Sequence, residues 1–333
     1  MMKKLLFSLF LSILVLSVTL TGFMAEEKLV WNKEWPTKIR IGAASIGGGF
    51  YMGASSMANA LKEEFPELEI VVEQTKASVH NIKLIEANEV EFAMCTSNNV
   101  YDAWIGEGAY EGIEYKGVRV LMPTWPASIE FITLKKSGIT DITQFTRRFS
   151  GGPQGSENNV LTHKVFELFE IKAQIVNLAL TDTTLSLKTG TLEGYLTAFP
   201  NTATAELSMT DDIRVVGLTK EQGEKFIEKY PSYVYPSIIP GGSYKGNDEP
   251  VATIGNIQIL IARDDLPEDM VYTVLKAVYK HQAIVEETWP RYGQSMKDLS
   301  IVKLLTSPFH KGSIKYYKEM GIELSEVATS LDE

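Results

Sequence analysis

Cysteine is almost absent from this chain. Cys95 stands alone among 333 residues, so no disulfide can close within the chain and no cysteine cluster can hold zinc. Basic residues are in the minority, 32 Lys and Arg against 42 Asp and Glu, for a formal charge of −10. A nucleic-acid protein needs a net basic face for phosphates, so this balance argues against nucleic acid as a partner. It leaves room for a local anion site, because backbone N–H groups bind anions without net basicity. Histidine is scarce too. His80, His163, His281 and His310 lie far apart and share no metal-ligand spacing, so neither a metal nor a cofactor is expected. The chain has no G-x-S-x-G elbow and no H-E-x-x-H, and no catalytic residue is assigned. What is present is ordinary: 44% hydrophobic and 22% charged residues are the usage of a folded globular protein, not of a disordered one. At ~150 residues per domain the length suggests two domains.

The N-terminus carries the single long apolar run. Lys3 and Lys4 precede Leu5–Leu20, which is interrupted only by Ser8, Ser12, Ser17 and Thr19, and Ala25 then meets Glu26-Glu27. Positive, apolar, then small is the order of a secretory signal. The run is shorter than the ~20 residues that span a bilayer comfortably. Residues 1–25 are therefore read as a cleaved signal peptide. Phe23 fits poorly two residues before the cut, so an uncleaved anchor is the alternative. No cysteine stands near residue 25 to carry a lipid. The protein is expected outside the cytoplasm, in the periplasm, or on the outer face of the membrane if the signal stays.

After it, short apolar runs alternate with helical periodicity. Lys38–Ala43 reads as a strand, Tyr51–Glu64 as a helix, Glu69–Gln74 as a strand, Ser78–Ala87 as a helix and Glu91–Cys95 as a strand. This βαβαβ order is the mark of a parallel sheet with helices on its faces. Two further strands, Val118–Pro123 and Ile129–Lys135, are expected either side of Trp125-Pro126. A second α/β series follows: a short strand near Arg148, a helix over Asn158–Phe169, and strands at Ile175–Leu178, Leu192–Phe199 and Ile213–Leu218. Pro231–Pro250 reads as a long loop, Thr253–Ala262 as a strand, and Pro267–Val285 as one long helix with helical sequence beyond. The fold class is α/β in two lobes with a cleft between them. Lobe I comprises residues 37–128 plus 250–333 and lobe II residues 129–249, because the C-terminal helices are too few to stand alone. Ligands of open α/β sheets sit outside the carboxyl ends of strands, so the turns found there are the candidate site.

The turn Gly47-Gly48-Gly49-Phe50-Tyr51 joins a strand to a helix. Its glycines let a ligand approach the backbone, and the helix start offers unpaired N–H groups. It is not a dinucleotide fingerprint, since Met52 stands where G-x-G-x-x-G needs its last glycine, and it is not a P-loop. A tight turn without a ligand is the competing reading. Gly155-Ser156-Glu157-Asn158 is the matching turn of the second unit, with Ser156 equally suited to cap the helix. Thr75, Ser78 and Asn81 follow the second strand, and Thr96, Ser97 and Asn98 follow the third. Each group is able to cap a helix or to bond a ligand. Pro200 and Asn201 close a strand of the second unit. Trp125, at the joint between units, is the tryptophan best placed to line a cleft. Trp104 and Trp289 read as packing, and Cys95 as a thiol at the edge of the core. No arginine clamp is visible, and Lys76 is the nearest base.

Taken in order, these segments resemble the TAXI family, the solute receptors of TRAP transporters. Ile41–Tyr51 is similar to the family's opening strand and glycine loop. Thr75-Lys76-Ala77-Ser78-Val79-His80-Asn81 resembles T-x-G-S-x-x-N, with Ala77 in place of glycine. Glu89–Ala103 resembles its "G-E-A-D-x-A … Q-S-D-x-x-Y-D-A" stretch. Ser137-Gly138-Ile139 and Gly155-Ser156 resemble its second-lobe segments. Pro308–Glu319 resembles "P-L-H-P-G-A-x-x-Y-Y-x-E". The resemblance covers the mature chain. It implies a type II periplasmic-binding fold that closes on a small-molecule solute, a carboxylate or an acidic amino acid, and hands it to a TRAP-type membrane permease. A monomer without cofactor or catalysis is expected. The chain departs from the pattern at Thr96 and Asn98, where the family has Gln and Asp, and at Glu157-Asn158, where it has Gly-Thr. Glu157 either selects a ligand amine or faces solvent at the positive end of its helix. An exported enzyme and a sensor subunit on the same fold are the alternatives.

Overall fold

Lys38–Gly42 alternates, with Ile39 and Ile41 fully buried, and forms strand β1. The structure is a computed structural model that describes residues 28–329 apart from Ser45, Gly47, Gly48 and Gly155. The expected signal peptide and those three glycines therefore lie outside the described residues. Helix α1 (Gly49–Glu64) buries Ala54, Met57 and Leu61 on one face. Strand β2 (Glu69–Glu73), helix α2 (Ser78–Glu86), strand β3 (Phe92–Thr96) and helix α3 (Ser97–Ile105) complete the first unit. β1 lies between β2 and β3, parallel to both. All five residues of β3 are buried, as expected of a strand covered on both faces.

Strand β4 (Val118–Leu134) is continuous over 17 residues, not the two strands expected either side of Trp125-Pro126. Around Pro126 it pairs only with one neighbour, and pairing on its other edge to the second unit begins at Ser128. A proline is tolerated on such a half-free edge, because its missing N–H is not needed for a ladder. Thr124 is an extra residue in the register, which places Pro123 at a bulge.

The second unit runs through β5 (Arg148–Ser150), α4 (Glu157–Leu168), β6 (Gln174–Val176), α5 (Leu180–Lys188), β7 (Gly194–Phe199), α6 (Thr202–Thr210), β8 (Ile213–Val216), α7 (Lys220–Lys229) and β9 (Val234–Ile239). The span expected as a loop, 231–250, thus holds a strand, and β9 is paired through Ser237–Ile239. α5 and α7 have no counterpart in the expected elements. α7 buries only Gly223 and Phe226, too narrow a face to show as periodicity, although Thr219 and Gln222 form its capping box.

The chain then returns through β10 (Val251–Arg263), α8 (Glu268–Lys280), α9 (Gln282–Thr288), α10 (Pro290–Ser295), α11 (Lys311–Glu319) and α12 (Glu326–Thr329). The single helix expected over 267–285 is broken at His281, which ends α8 and starts α9. Among the described residues, ten strands join one sheet with the path β2-β1-β3-β10-β4-β7-β5-β6, β8 beside β4 and β9 beside β10. The sheet is mixed, not parallel: β10 runs antiparallel to β3, β4 and β9. β4 and β10 are the two strands common to both halves. Gln258–Ala262 of β10 pairs with β3, while Ile129–Leu134 of β4 pairs with β7 and β8. In the second half, Phe145, Phe149, Phe166 and Phe226 form the aromatic centre of the core. No described helix is long and apolar enough to cross a membrane.

Candidate functional site

Strands β1, β3 and β7 all end at one cavity of about 800 Å³. Its floor follows from strand alternation: Trp125, Ala127 and Ile129 of β4 and Asn256 and Gln258 of β10 present every second side chain to it. One side is formed by Ala44, Gly49, Phe50, Ala77, Ser78 and Thr96. The other comes from Glu157 and Asn158 at the start of α4, from Phe199 at the end of β7 with Pro200 and Asn201 after it, and from Ser243 and Tyr244. Trp289 and Arg291 complete the lining. Gly53 seats the floor: a Cβ there would come within 2.8 Å of the Trp125 ring, so α1 packs directly on that indole.

Glu157 is the acid of this cavity and its best-held side chain. Thr96 Oγ1 and Asn99 Nδ2 donate to its Oε2 at 3.1 and 3.2 Å, and Asn256 Nδ2 donates to Oε1 at 2.6 Å. Asn256 also donates to Asn98 Oδ1 at 3.0 Å and accepts from Gln258 Nε2 at 2.8 Å. One carboxylate thus ties α4 to the β3–α3 junction and to β10. Burial pushes its carboxyl up to about 7, against the pull of the hydrogen bonds it accepts. A smaller cavity of about 240 Å³ lies beyond, sharing Ala77, Ser78 and Glu157 with the first. At its side Lys164 Nζ meets Asp102 Oδ2 at 2.8 Å, with both side chains largely buried.

On the opposite side Glu130 is fully buried beneath Tyr244. Tyr244 OH donates to Oε2 at 2.7 Å and Thr204 Oγ1 to Oε1 at 2.9 Å. Burial raises this carboxyl to about 8 despite both donors. Ala77 is held at φ 64°, ψ −156°, a region that only glycine enters freely. Its N–H donates to Thr75 Oγ1 at 3.1 Å, and its carbonyl accepts from Asn81 N.

The described residues singled out from the sequence separate into three groups. Gly49, Phe50, Ser78, Thr96, Trp125, Glu157, Asn158, Pro200 and Asn201 line the main cavity together. Asn98 and Ser156 border the smaller one, and Ser156 caps α4 by accepting from Asn159 N. Four do not reach either cavity. Tyr51 is half-buried on α1. Thr75 bonds the Ala43 carbonyl, and Asn81 Nδ2 bonds the carbonyls of Ala43 and Met94, so both brace strand ends. Ser97 is committed to Ser232 O and Ile257 N. Asn201, besides lining the cavity, caps α6 through Thr204 N.

Sequence reasoning missed Asn256, Gln258, Tyr244 and above all Trp289 and Arg291. The last two lie in the C-terminal helical region, where no strand-end signal marks them. Trp289 is part of the lining and meets Trp125 edge to face at 5.8 Å. Trp104, by contrast, packs beneath Lys116 and Arg119. Cys95 is buried and burial raises its thiol far above the ordinary range, which removes it as a nucleophile at neutral pH. His310 caps α11 through Gly312 N, and burial lowers its imidazole to about 4. Among the described residues no three His, Cys, Asp or Glu side chains gather as a metal set.

Two solved structures share this architecture over nearly their full length. One, described as a periplasmic transporter, is 13% identical, with 86% of this chain and 98% of that chain covered at a TM-score of 0.50. The other, the periplasmic binding protein BugD, is 11% identical, with 87% and 100% covered at a TM-score of 0.50. At such identity the likeness concerns the fold, the two-lobed one of periplasmic binding proteins. Residues 41–321 match the NMT1-like family over most of the sequence, and the chain belongs to that family.

Proposed function

We propose that this protein is an exported solute-binding receptor without catalytic activity. It captures a small organic carboxylate or acidic amino acid between two lobes and delivers it to a TRAP-type membrane permease. Lobe I is residues 37–128 plus 250–333 and lobe II residues 129–249, and residues 1–25 direct export. The observation that carries the reading is the shared cavity: the turn at Gly49-Phe50 and the turn at Glu157-Asn158, more than 100 residues apart, line one space of about 800 Å³. That is within the size range of small-molecule sites. β4 and β10, the strands common to both halves, are suited to flex as a hinge, so that ligand favours a closed form and the permease reads a two-state signal. The fold of BugD and of the second structure, both periplasmic by description, supports the same reading. The TAXI assignment rests on the motif resemblance, from Thr75–Asn81 to Pro308–Glu319.

The test is a thermal-shift and calorimetric screen of the protein beginning at Glu26 against organic acids and amino acids. A ligand at 100 times its Kd adds about 2.7 kcal/mol of stability and raises Tm. A panel in which no compound shifts Tm would count decisively against a receptor. Loss of solute uptake when a neighbouring permease gene is deleted separates transport from sensing.

A further inference from the structure

The receptor reading leaves the solute's chemistry open, and the cavity wall narrows it. Five aromatic rings line it: Phe50, Trp125, Phe199, Tyr244 and Trp289. They come in groups from different elements, with Trp125 against Trp289 and Phe199 edge-on to Tyr244 at 5.9 Å. That is much apolar surface for a site meant for a compact, highly charged molecule.

Charge in the lining is sparse. Arg291 is the one basic residue among the described lining residues, and Glu157 the one acid. Arg291 is half-buried at the boundary between this cavity and a neighbouring one lined by Pro126, Gln294, Ser295 and Asp298, and its Nη2 donates to the Pro126 carbonyl at 3.2 Å. No described carboxylate pairs with it, and burial lowers its pKa with no opposing anion. Glu157 is different, since both its oxygens already accept from Thr96, Asn99 and Asn256. One unpaired cation matches one anionic head. A dicarboxylate would leave its second charge without a cation in the lining, and Glu157, already accepting three hydrogen bonds, offers an ammonium little more than the free lone pair of Oε1.

We propose that the solute is an amphipathic monoanion, a carboxylate on an aromatic or otherwise flat apolar body, with Arg291 holding the carboxylate and the Trp125, Phe50 and Phe199 rings packing on the body. Arginine presents two parallel donors to a carboxylate, and aromatic faces add contact area to a flat body. This inference rests on the receptor reading above and deepens it.

The experiment titrates the protein with phenylacetate and indole-3-acetate, and in parallel with succinate, glutamate and the neutral 2-phenylacetamide. Calorimetry reports binding. The aromatic acids are expected to bind best, with succinate and glutamate at least ~10-fold weaker. The acid should outbind its amide roughly 10–100-fold, the range of a hydrogen bond to a charged group. Arg291→Gln should abolish that acid–amide gap. The wild-type gap stands as a measurement even if the variant folds poorly. Tighter binding of succinate or glutamate than of the aromatic acids overturns the proposed class and leaves the receptor standing. An acid–amide gap that survives in Arg291→Gln overturns the role of Arg291. No binding by any probe, together with a blank organic-acid screen, overturns both.

Discussion

Ala77 offers a sharp test, because ordinary expectation for its replacement has the opposite sign. Alanine to glycine normally destabilises, since glycine loses more backbone freedom on folding, by roughly 0.4–1 kcal/mol. Ala77 sits at φ 64°, ψ −156°, where a Cβ costs on the order of 1–3 kcal/mol. It is also the N-cap of α2 without a side-chain cap, a place where glycine serves better than alanine by about 0.5 kcal/mol. The methyl is half-buried against the cavity, so its removal forfeits about 0.4 kcal/mol of apolar burial. The favourable effects win by about 1 kcal/mol. Ala77→Gly is therefore expected to raise Tm by about 2 °C, the lower end of the scale for a chain of this size. Calorimetry and urea denaturation check it. Ala93→Gly in β3 is the control: Ala93 is fully buried in a strand, and its loss should cost roughly 1–2 kcal/mol. If Ala77→Gly falls as Ala93→Gly does, no strain is stored at residue 77 and the reasoning is wrong.

Two other predictions concern buried charge. Glu157 has its carboxyl raised from 4.5 to about 7 on folding, so the folded state holds the proton more tightly than the unfolded state. Its contribution to stability accordingly falls as pH rises from 4.5 to 7. Glu157→Gln does not titrate, so its stability relative to wild type should climb across that window and level off above it, by on the order of 2–3 kcal/mol. Tm measured from pH 4 to 8 decides this, and parallel curves for the two proteins would refute it. Lys164 and Asp102 form a largely buried pair, in which burial raises the Asp102 carboxyl against the pull of Lys164. Lys164→Met strands that carboxylate and should cost roughly 3–5 kcal/mol in urea denaturation, with Asp102→Asn restoring much of it in the double variant. A single-variant loss under about 1 kcal/mol would mean the pair is solvated after all.

What the sequence determined by itself is local. Alternation in Lys38–Gly42, helical spacing from Ala54 to Leu61, Pro66 as a stop, and capping residues such as Ser156 and Asn201 act within a few residues, and they placed the strand–turn–helix units and the turns that line the cavity. The resemblance to solute receptors was carried by those turns together with longer segments, Glu89–Ala103 and Pro308–Glu319. Four results needed the tertiary structure. β4 passes through Pro126 because its second partner begins only at Ser128. β10 enters antiparallel between β3 and β4, from more than 100 residues downstream of either. Glu157 meets Thr96 and Asn256 rather than solvent. Trp289 and Arg291 reach the cavity from a C-terminal segment whose own pattern says only helix. Local periodicity records which face of an element is apolar, whereas the partner of that face is selected by packing and loop closure across the whole chain.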